Sequence, residues 1–305
     1  MRICIRSFFK LSPNKDNMHD PRKQTRYFRL AMCCCAFGSL VCASGISGED
    51  VAVKATAGTM PPVPELKARL LEELQLSKGA AEQGLALTAE HYFTSTAHSI
   101  CRFDTQWKLL EEKAIRIDGV NHLGAIHHHD GFLWVGLLNG PQDDKYDKAN
   151  DRAIVAKIRA SDLSVVQTWD ITKDLTWIDP VCFDGQHLWV GDLRDLGIHR
   201  YRTDGHRLVR DGVLRYPKPM HFSQGLRVVG KKLYSIHTFG EMKGLFEFDL
   251  PDTLTAAIQQ PTRFWKIQET TMHLEGFDFI PGRPNELWHA QGKQVDRYEL
   301  NLSNP

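Results

Sequence analysis

An all-β fold, a five-bladed β-propeller with one N-terminal helix, is what the sequence predicts, on three observations. A two-strand unit recurs five times, its second strand marked by Tyr92-Phe93, Leu133-Trp134, Leu188-Trp189, Leu233-Tyr234 and Leu287-Trp288. These pairs stand about 41, 55, 45 and 54 residues apart, a period typical of propeller blades built from short strands. A third strand follows each pair, at Ser99 to Asp104, Ile154 to Arg159, Gly197 to Arg202, Gly244 to Asp249 and Gln294 to Glu299. Most of these alternate apolar and polar residues, as half-buried strands do.

The first 43 residues read as a secretory signal peptide. Arg22, Lys23, Arg26 and Arg29 precede an apolar run from Leu30 to Val41, and Val41-Cys42-Ala43 is a small-x-small step with cleavage expected after Ala43. A start at Met18 would give a leader of more ordinary length. The apolar run is too short for a comfortable transmembrane span, and Leu30-Ala-Met-Cys33 loosely resembles a lipobox, so lipoprotein anchoring stays open as the second reading. The expectation is a secreted or periplasmic protein with no transmembrane segment in the mature chain. Of seven cysteines only Cys101 and Cys182 lie beyond the leader; they fall in non-adjacent blades and are expected as buried free thiols.

Residues 44–64, rich in Gly, Ala, Thr and Pro, read as a linker, with Val51 to Ala57 able to pair as an edge strand. Residues 65–82 read as a helical extension: Leu66, Leu70 and Leu74 share one helical face, prolines precede them and Gly79 follows. Its expected role is packing against a face or edge of the propeller, which occupies 83–305.

Fourth strands are predicted at Trp107 to Leu110, Val165 to Trp169, His206 to Val209 and Thr262 to Trp265. The last repeat has no room for one, so its outer strand is either missing or supplied by the N-terminal segment, which would hide exposed edges. Asp130-Gly131 and Asp184-Gly185 occupy matching places between first and second strands, where a tight turn requires positive φ.

With 38 basic and 37 acidic residues the chain lacks the electrostatic footprint of a nucleic-acid binder. It also lacks a Walker loop, a dinucleotide fingerprint, a nucleophile elbow and an HExxH motif. The repeat register supplies a candidate site instead. The residues leading into the five first strands share one end of the channel, and they include Gln83, His122, Asp179, His221, Gln224, His273 and Glu275. Histidines with carboxylates suit acid–base chemistry or a metal; such groups also satisfy backbone and water in a non-catalytic channel.

Glu275, His122 and His221 are the catalytic candidates. Loops at the same end add Asp192, Arg194 and His237 to the ligand-binding set. The loop from Leu137 to Arg152, with Asp143, Asp144, Asp147 and Asp151, reads as a solvated charged loop or lid, its spacing unlike an EF-hand. His127-His128-His129 falls toward the opposite end of the channel and reads as strand-end histidines.

Gln83-Gly84-Leu85, Tyr92-Phe93-Thr94-Ser95-Thr96 and His273-Leu274-Glu275-Gly276 give the chain a resemblance to the plant- and bacterial-type glutaminyl-peptide cyclotransferases, over about residues 82 to 300. The resemblance implies a secreted five-bladed propeller that cyclises N-terminal glutamine, with Glu275 as acid or base. The acidic Asn-Glu-Leu-Glu core of that family is reduced here to Leu274-Glu275.

The leading reading is a monomeric exported propeller that binds a small molecule, peptide, glycan or exported protein at its channel mouth. A cyclotransferase or a metal-dependent hydrolase at the same mouth is the alternative. A lactonase of the gluconolactonase kind fits less well, since those propellers have six blades. The sequence names no cofactor and does not decide whether a metal is bound.

Overall fold

The computed structural model describes residues 63–77, 80–139, 151–194, 196–238, 242–255, 257–267 and 274–302. The chain divides into Met1–Thr56 and Ala57–Pro305, and every described residue belongs to the second unit. The expected leader, nearly all of the linker, most of the charged loop and His273 lie outside the described residues. No helix among the described residues is long and apolar enough to cross a membrane.

The described residues form twenty strands and one short 3-10 turn. Three four-stranded antiparallel sheets come first. One holds β2 (Gly84–Leu87), β3 (His91–Ser95), β4 (Ser99–Asp104) and β5 (Leu109–Ala114). The next holds β6 (His122–His129), β7 (Phe132–Leu138), β8 (Ala153–Arg159) and β9 (Ser164–Asp170). The third holds β10 (Ile178–Phe183), β11 (His187–Asp192), β12 (Gly197–Thr203) and β13 (Leu208–Arg215).

An eight-stranded sheet completes the unit in the order β14 (Ser223–Val229), β15 (Lys232–His237), β16 (Gly244–Asp249), β17 (Arg263–Lys266), β1 (Glu65–Gln75), β20 (Gln294–Leu300), β19 (Arg283–Gln291), β18 (Phe277–Ile280).

The helix expected after residue 65 is therefore a strand. β1 runs antiparallel to β20 from Ala68 to Gln75, and its first residues also pair in parallel with β17. Leu66, Leu70 and Leu74 are four apart, a spacing that fits one face of a strand as well as a turn of helix. The free edge of β20 decides between them. A bulge at Leu71 then reverses which face the even positions present. Leu66 and Leu70 pack beside Trp265 and Tyr298, whereas Leu74 and Leu76 pack beside Trp107 and Val295. The N-terminal segment thus covers the β20 edge.

The first strands stand in a circle: β2 beside β6, β6 beside β10, β10 beside β14, β14 beside β18, and β18 beside β2 again. Glycines permit this approach. A Cβ on Gly276 would lie 2.5 Å from Gly84 Cα, and one on Gly84 would lie 2.5 Å from Ile126 N. One on Gly124 would lie 2.6 Å from Asp179 O. The aromatic residue of each marked pair packs toward the following sheet. Trp134 stacks on Phe183 at 4.4 Å, Tyr234 meets Phe279 at 4.8 Å, and Trp288 meets Trp107 at 5.3 Å. Such contacts add about 0.5–1.5 kcal/mol beyond the area they bury.

Arg227, carried into the channel by β14, fastens the circle. Its Nε donates to Asp278 Oδ1 at 2.7 Å, and Nη1 donates to Leu226 O at 2.6 Å. Nη2 donates to Leu85 O and to Ile126 O. One guanidinium thereby joins β2, β6, β14 and β18. Asp278 also accepts from Leu87 N and Phe279 N, so both charges are hydrogen-bonded as buried charges must be.

Candidate functional site

The residues leading into the first strands collect at one end of the circle because every first strand starts there. Asp179 is 3% exposed and its Oδ1 accepts the Ala125 N–H at 2.8 Å across the gap between β10 and β6. Gln224, 5% exposed, donates from Nε2 to Glu275 Oε2 at 2.7 Å, joining β14 to the segment that leads into β18. Among the described residues the Gln224 Oε1 has no partner.

Burial drives the Asp179 carboxyl up to about 7, against the pull of the Ala125 N–H. Burial also holds Glu275 well above the carboxylate range; the neighbouring Asp179 charge adds to this, and Glu82 adds less. Two carboxyls that act on one another resist joint ionisation.

His122 opens β6. Its Nε2 is 3.1 Å from Gln83 Oε1, which requires an N–H there and leaves Nδ1 as the acceptor of the neutral ring. Burial, with a smaller contribution from His98, lowers His122 to about 4. A cavity of about 490 Å³ opens next to it, lined by His98, Arg116, Asp118, Asn121 and Leu137 among others.

His221 follows a 3-10 turn at Lys218–Met220 and has φ of +58°. Backbone of that kind costs a non-glycine residue about 1–3 kcal/mol. Its ring is half-buried and stands 4.6 Å from that of Phe222.

His237 is wholly buried rather than at the mouth. Its Nδ1 lies 3.0 Å from Met220 O and 3.1 Å from His221 O, and its Nε2 lies 2.8 Å from Ser235 Oγ. Two carbonyls at Nδ1 fix the proton there, and burial lowers the ring to about 3. These bonds tie the 3-10 turn before His221 to β15.

Asp192 Oδ1 accepts the Arg194 N–H at 2.7 Å. The Arg194 guanidinium reaches Asp151 Oδ2 and Thr176 Oγ1, both at 2.9 Å, and lies 4.5 Å over the Trp177 ring. Trp177 Nε1 donates to Asp151 at 3.2 Å. This cluster links the segment before β8 in the second sheet to the segment before β10 and the end of β11 in the third.

The structure thus joins Gln83 to His122, and Gln224 to Glu275, with Asp179 close enough to perturb Glu275. Hydrogen bonds described for Glu275 and for His122 run to different glutamines. Among the described residues no group of three or more His, Cys, Asp or Glu is placed to hold a metal. His127 is at the other end of β6, where its Nδ1 accepts the Phe183 N–H at 3.2 Å. Cys101 and Cys182 are free and buried.

Sequence reasoning missed Arg227 and Asp278. Their signal was a charge of each sign at an inward position of a first strand, in Gly-Leu-Arg-Val and Gly-Phe-Asp-Phe.

No family model matches the chain, and no curated protein sequence matches it. Among solved structures, a glutaminyl cyclase from Myxococcus xanthus aligns with a TM-score of 0.57 at 13% identity, covering 79% of this chain and 100% of that one. A protein assigned as a gluconolactonase gives 0.45 at 16% identity over 69% and 71% of the two chains. The β-propeller domain of Swd1 from Myceliophteria thermophila gives 0.41 at 10% over 72% and 82%. The all-β architecture of four-stranded sheets is that of a β-propeller, with a weak likeness in fold to the glutaminyl cyclase.

Proposed function

We propose that this chain is an exported five-bladed β-propeller that binds a small molecule, peptide, glycan or protein partner at the mouth of its channel. The single observation that carries the reading is the hydrogen bond between Gln224 and Glu275, drawn from separate parts of the chain, at the end of the circle where Asp179 also stands and acts on Glu275. Five first strands support the blade count, with β14 to β17 as one blade and β18, β19, β20 and β1 as the last. Export rests on the basic flank, apolar run and small-x-small step before residue 44.

Hydrogen–deuterium exchange on the mature chain, with and without candidate peptides, glycans and metabolites, tests the site. Protection concentrated around residues 83, 122, 179, 221–224 and 275 is expected. Protection confined to the outer strands, or none with any ligand class, contradicts it.

A second reading, cyclotransferase chemistry, is favoured by the raised Glu275 carboxyl and by the likeness in fold to a glutaminyl cyclase. In that reaction the α-amine of an N-terminal glutamine attacks the side-chain amide carbon, a C–N bond forms, and ammonia leaves. Glu275 would relay the proton from the amine to the departing nitrogen. Ammonia release from a Gln-initiated peptide, abolished in Glu275→Gln, is the expected result. A wild-type chain that releases none removes this reading and leaves the binding reading standing.

A further inference from the structure

We infer that the cavity walled by the link between β5 and β6 is a binding site for a small carboxylate with an apolar body, held by Arg116. The site goes beyond the channel-mouth reading and does not depend on it; of the residues named there, His122 alone also lines this cavity.

The link is an arch with fixed feet. Ile115 N–H donates to His98 O at 3.0 Å and Leu123 N–H donates to Ala97 O at 2.9 Å, so both ends are tied to the turn between β3 and β4. Asn121 N–H donates to Leu138 O at 3.3 Å and ties the far side to the second sheet. At the crown Val120 N–H donates to Ile117 O at 3.4 Å, and Gly119 has φ of +80°, as a turn with glycine at its third position requires. The residues of the arch, with His98 and Leu137, line the cavity of about 490 Å³. That volume suits a small organic molecule, and an arch held from three sides needs little ordering to receive one.

The lining sets the chemistry of the ligand. Ile115, Leu123 and Leu137 belong to the core of the first two sheets, and Ile117 and Val120 pack against it, so much of the wall is apolar. Arg116 lines the same cavity, is exposed, and among the described residues makes no hydrogen bond or ion pair. An uncommitted guanidinium beside an apolar wall suits a carboxylate, whose two oxygens match its planar fork. A smaller cavity of about 270 Å³ shares Gly119, Val120 and Asn121 with the first and adds Arg152. The Arg152 stem runs beside the crown, 3.7 Å from where a Gly119 Cβ would stand. Asp118 also lines the larger cavity. Two arginines against one aspartate favour a monoanion, and the aspartate opposes a dianion such as phosphate.

Amide-resolved NMR titration of the chain with hexanoate, hexanamide, hexylammonium and inorganic phosphate at pH 7 tests the inference. Hexanoate should saturate with a dissociation constant on the order of 1–20 mM, as befits so small a ligand, and shift the amides of residues 98, 115–123 and 152. Hexanamide and hexylammonium should bind at least about tenfold more weakly. Arg116→Gln should weaken hexanoate by roughly tenfold and Arg116→Lys by less. Asp118→Asn should strengthen it about twofold to fivefold by removing a repulsion. Both positions are exposed, and the amide spectrum away from the arch shows that each variant keeps its fold.

Equal binding of hexanamide, an unchanged constant in Arg116→Gln, weaker binding in Asp118→Asn, or tighter binding of phosphate overturns the assignment. Shifts confined to residues 179, 221–224 and 275 would put the ligand at the channel mouth, overturning this inference and leaving the mouth reading in place. Absence of a saturable shift with all four probes overturns this inference alone.

Discussion

Replacing Arg227 by methionine removes the guanidinium and keeps most of the volume of its stem. The loss strands the Leu85, Ile126 and Leu226 carbonyls and one side of the Asp278 carboxylate in a region where Arg227 itself is 3% exposed. Removing one partner of a buried ion pair costs about 3–5 kcal/mol. Asp278 keeps the N–H groups of Leu87 and Phe279, and water in the channel can serve some carbonyls. The lower end of that range, about 3 kcal/mol, is the expected loss. Urea unfolding followed by circular dichroism reads it as a fall in midpoint at unchanged slope. Adding Asp278→Asn relieves the stranded charge and should recover about 1–2 kcal/mol. A loss under about 1 kcal/mol, or a double variant no better than the single one, would refute the claim that this residue fastens the circle.

Three further outcomes follow from neighbouring residues. Gly124→Ala drives a Cβ against the Asp179 backbone of the next sheet and should cost about 1–3 kcal/mol in the same assay. His237→Phe leaves the Met220 and His221 carbonyls without their donor, so a loss of about 1–3 kcal/mol is expected, with faster amide exchange at residues 218–222. For Asp179 the folded value of about 7 lies above the ordinary 3.8, so between these pH values the folded chain holds more protons than the unfolded one. Stability should therefore fall as pH rises from about 4 to 7, and Asp179→Asn should flatten that slope and gain stability at pH 8.

The blades were legible because their signals are local. Leu133-Trp134 and Leu188-Trp189 mark second strands whose tryptophans must cover the following sheet, and Asp130-Gly131 and Asp184-Gly185 mark turns that need positive φ, with Gly131 at +76° and Gly185 at +97°. The strand at Glu65–Gln75 was not legible as a strand, because leucines four apart satisfy both periods and the deciding partner, β20, lies more than two hundred residues away. Gln83, His122, Asp179, Gln224 and Glu275 could be placed at one end by counting register alone. Which of them touch could not, since side-chain direction depends on the glycine-permitted approach of neighbouring sheets. His237 shows the limit: it follows the register to the mouth-side end of β15 and then turns inward, to the carbonyls of Met220 and His221.

Carboxyl-carbon NMR titration of Glu275, in the unaltered chain and in Asp179→Asn, measures the coupling of the two carboxyls most directly. With Asp179 beside it, Glu275 should titrate well above an ordinary glutamate, and loss of the Asp179 charge should bring it measurably down. A Glu275 that titrates identically in both proteins would mean that the two side chains occupy separate surroundings, and the site would have to be abandoned.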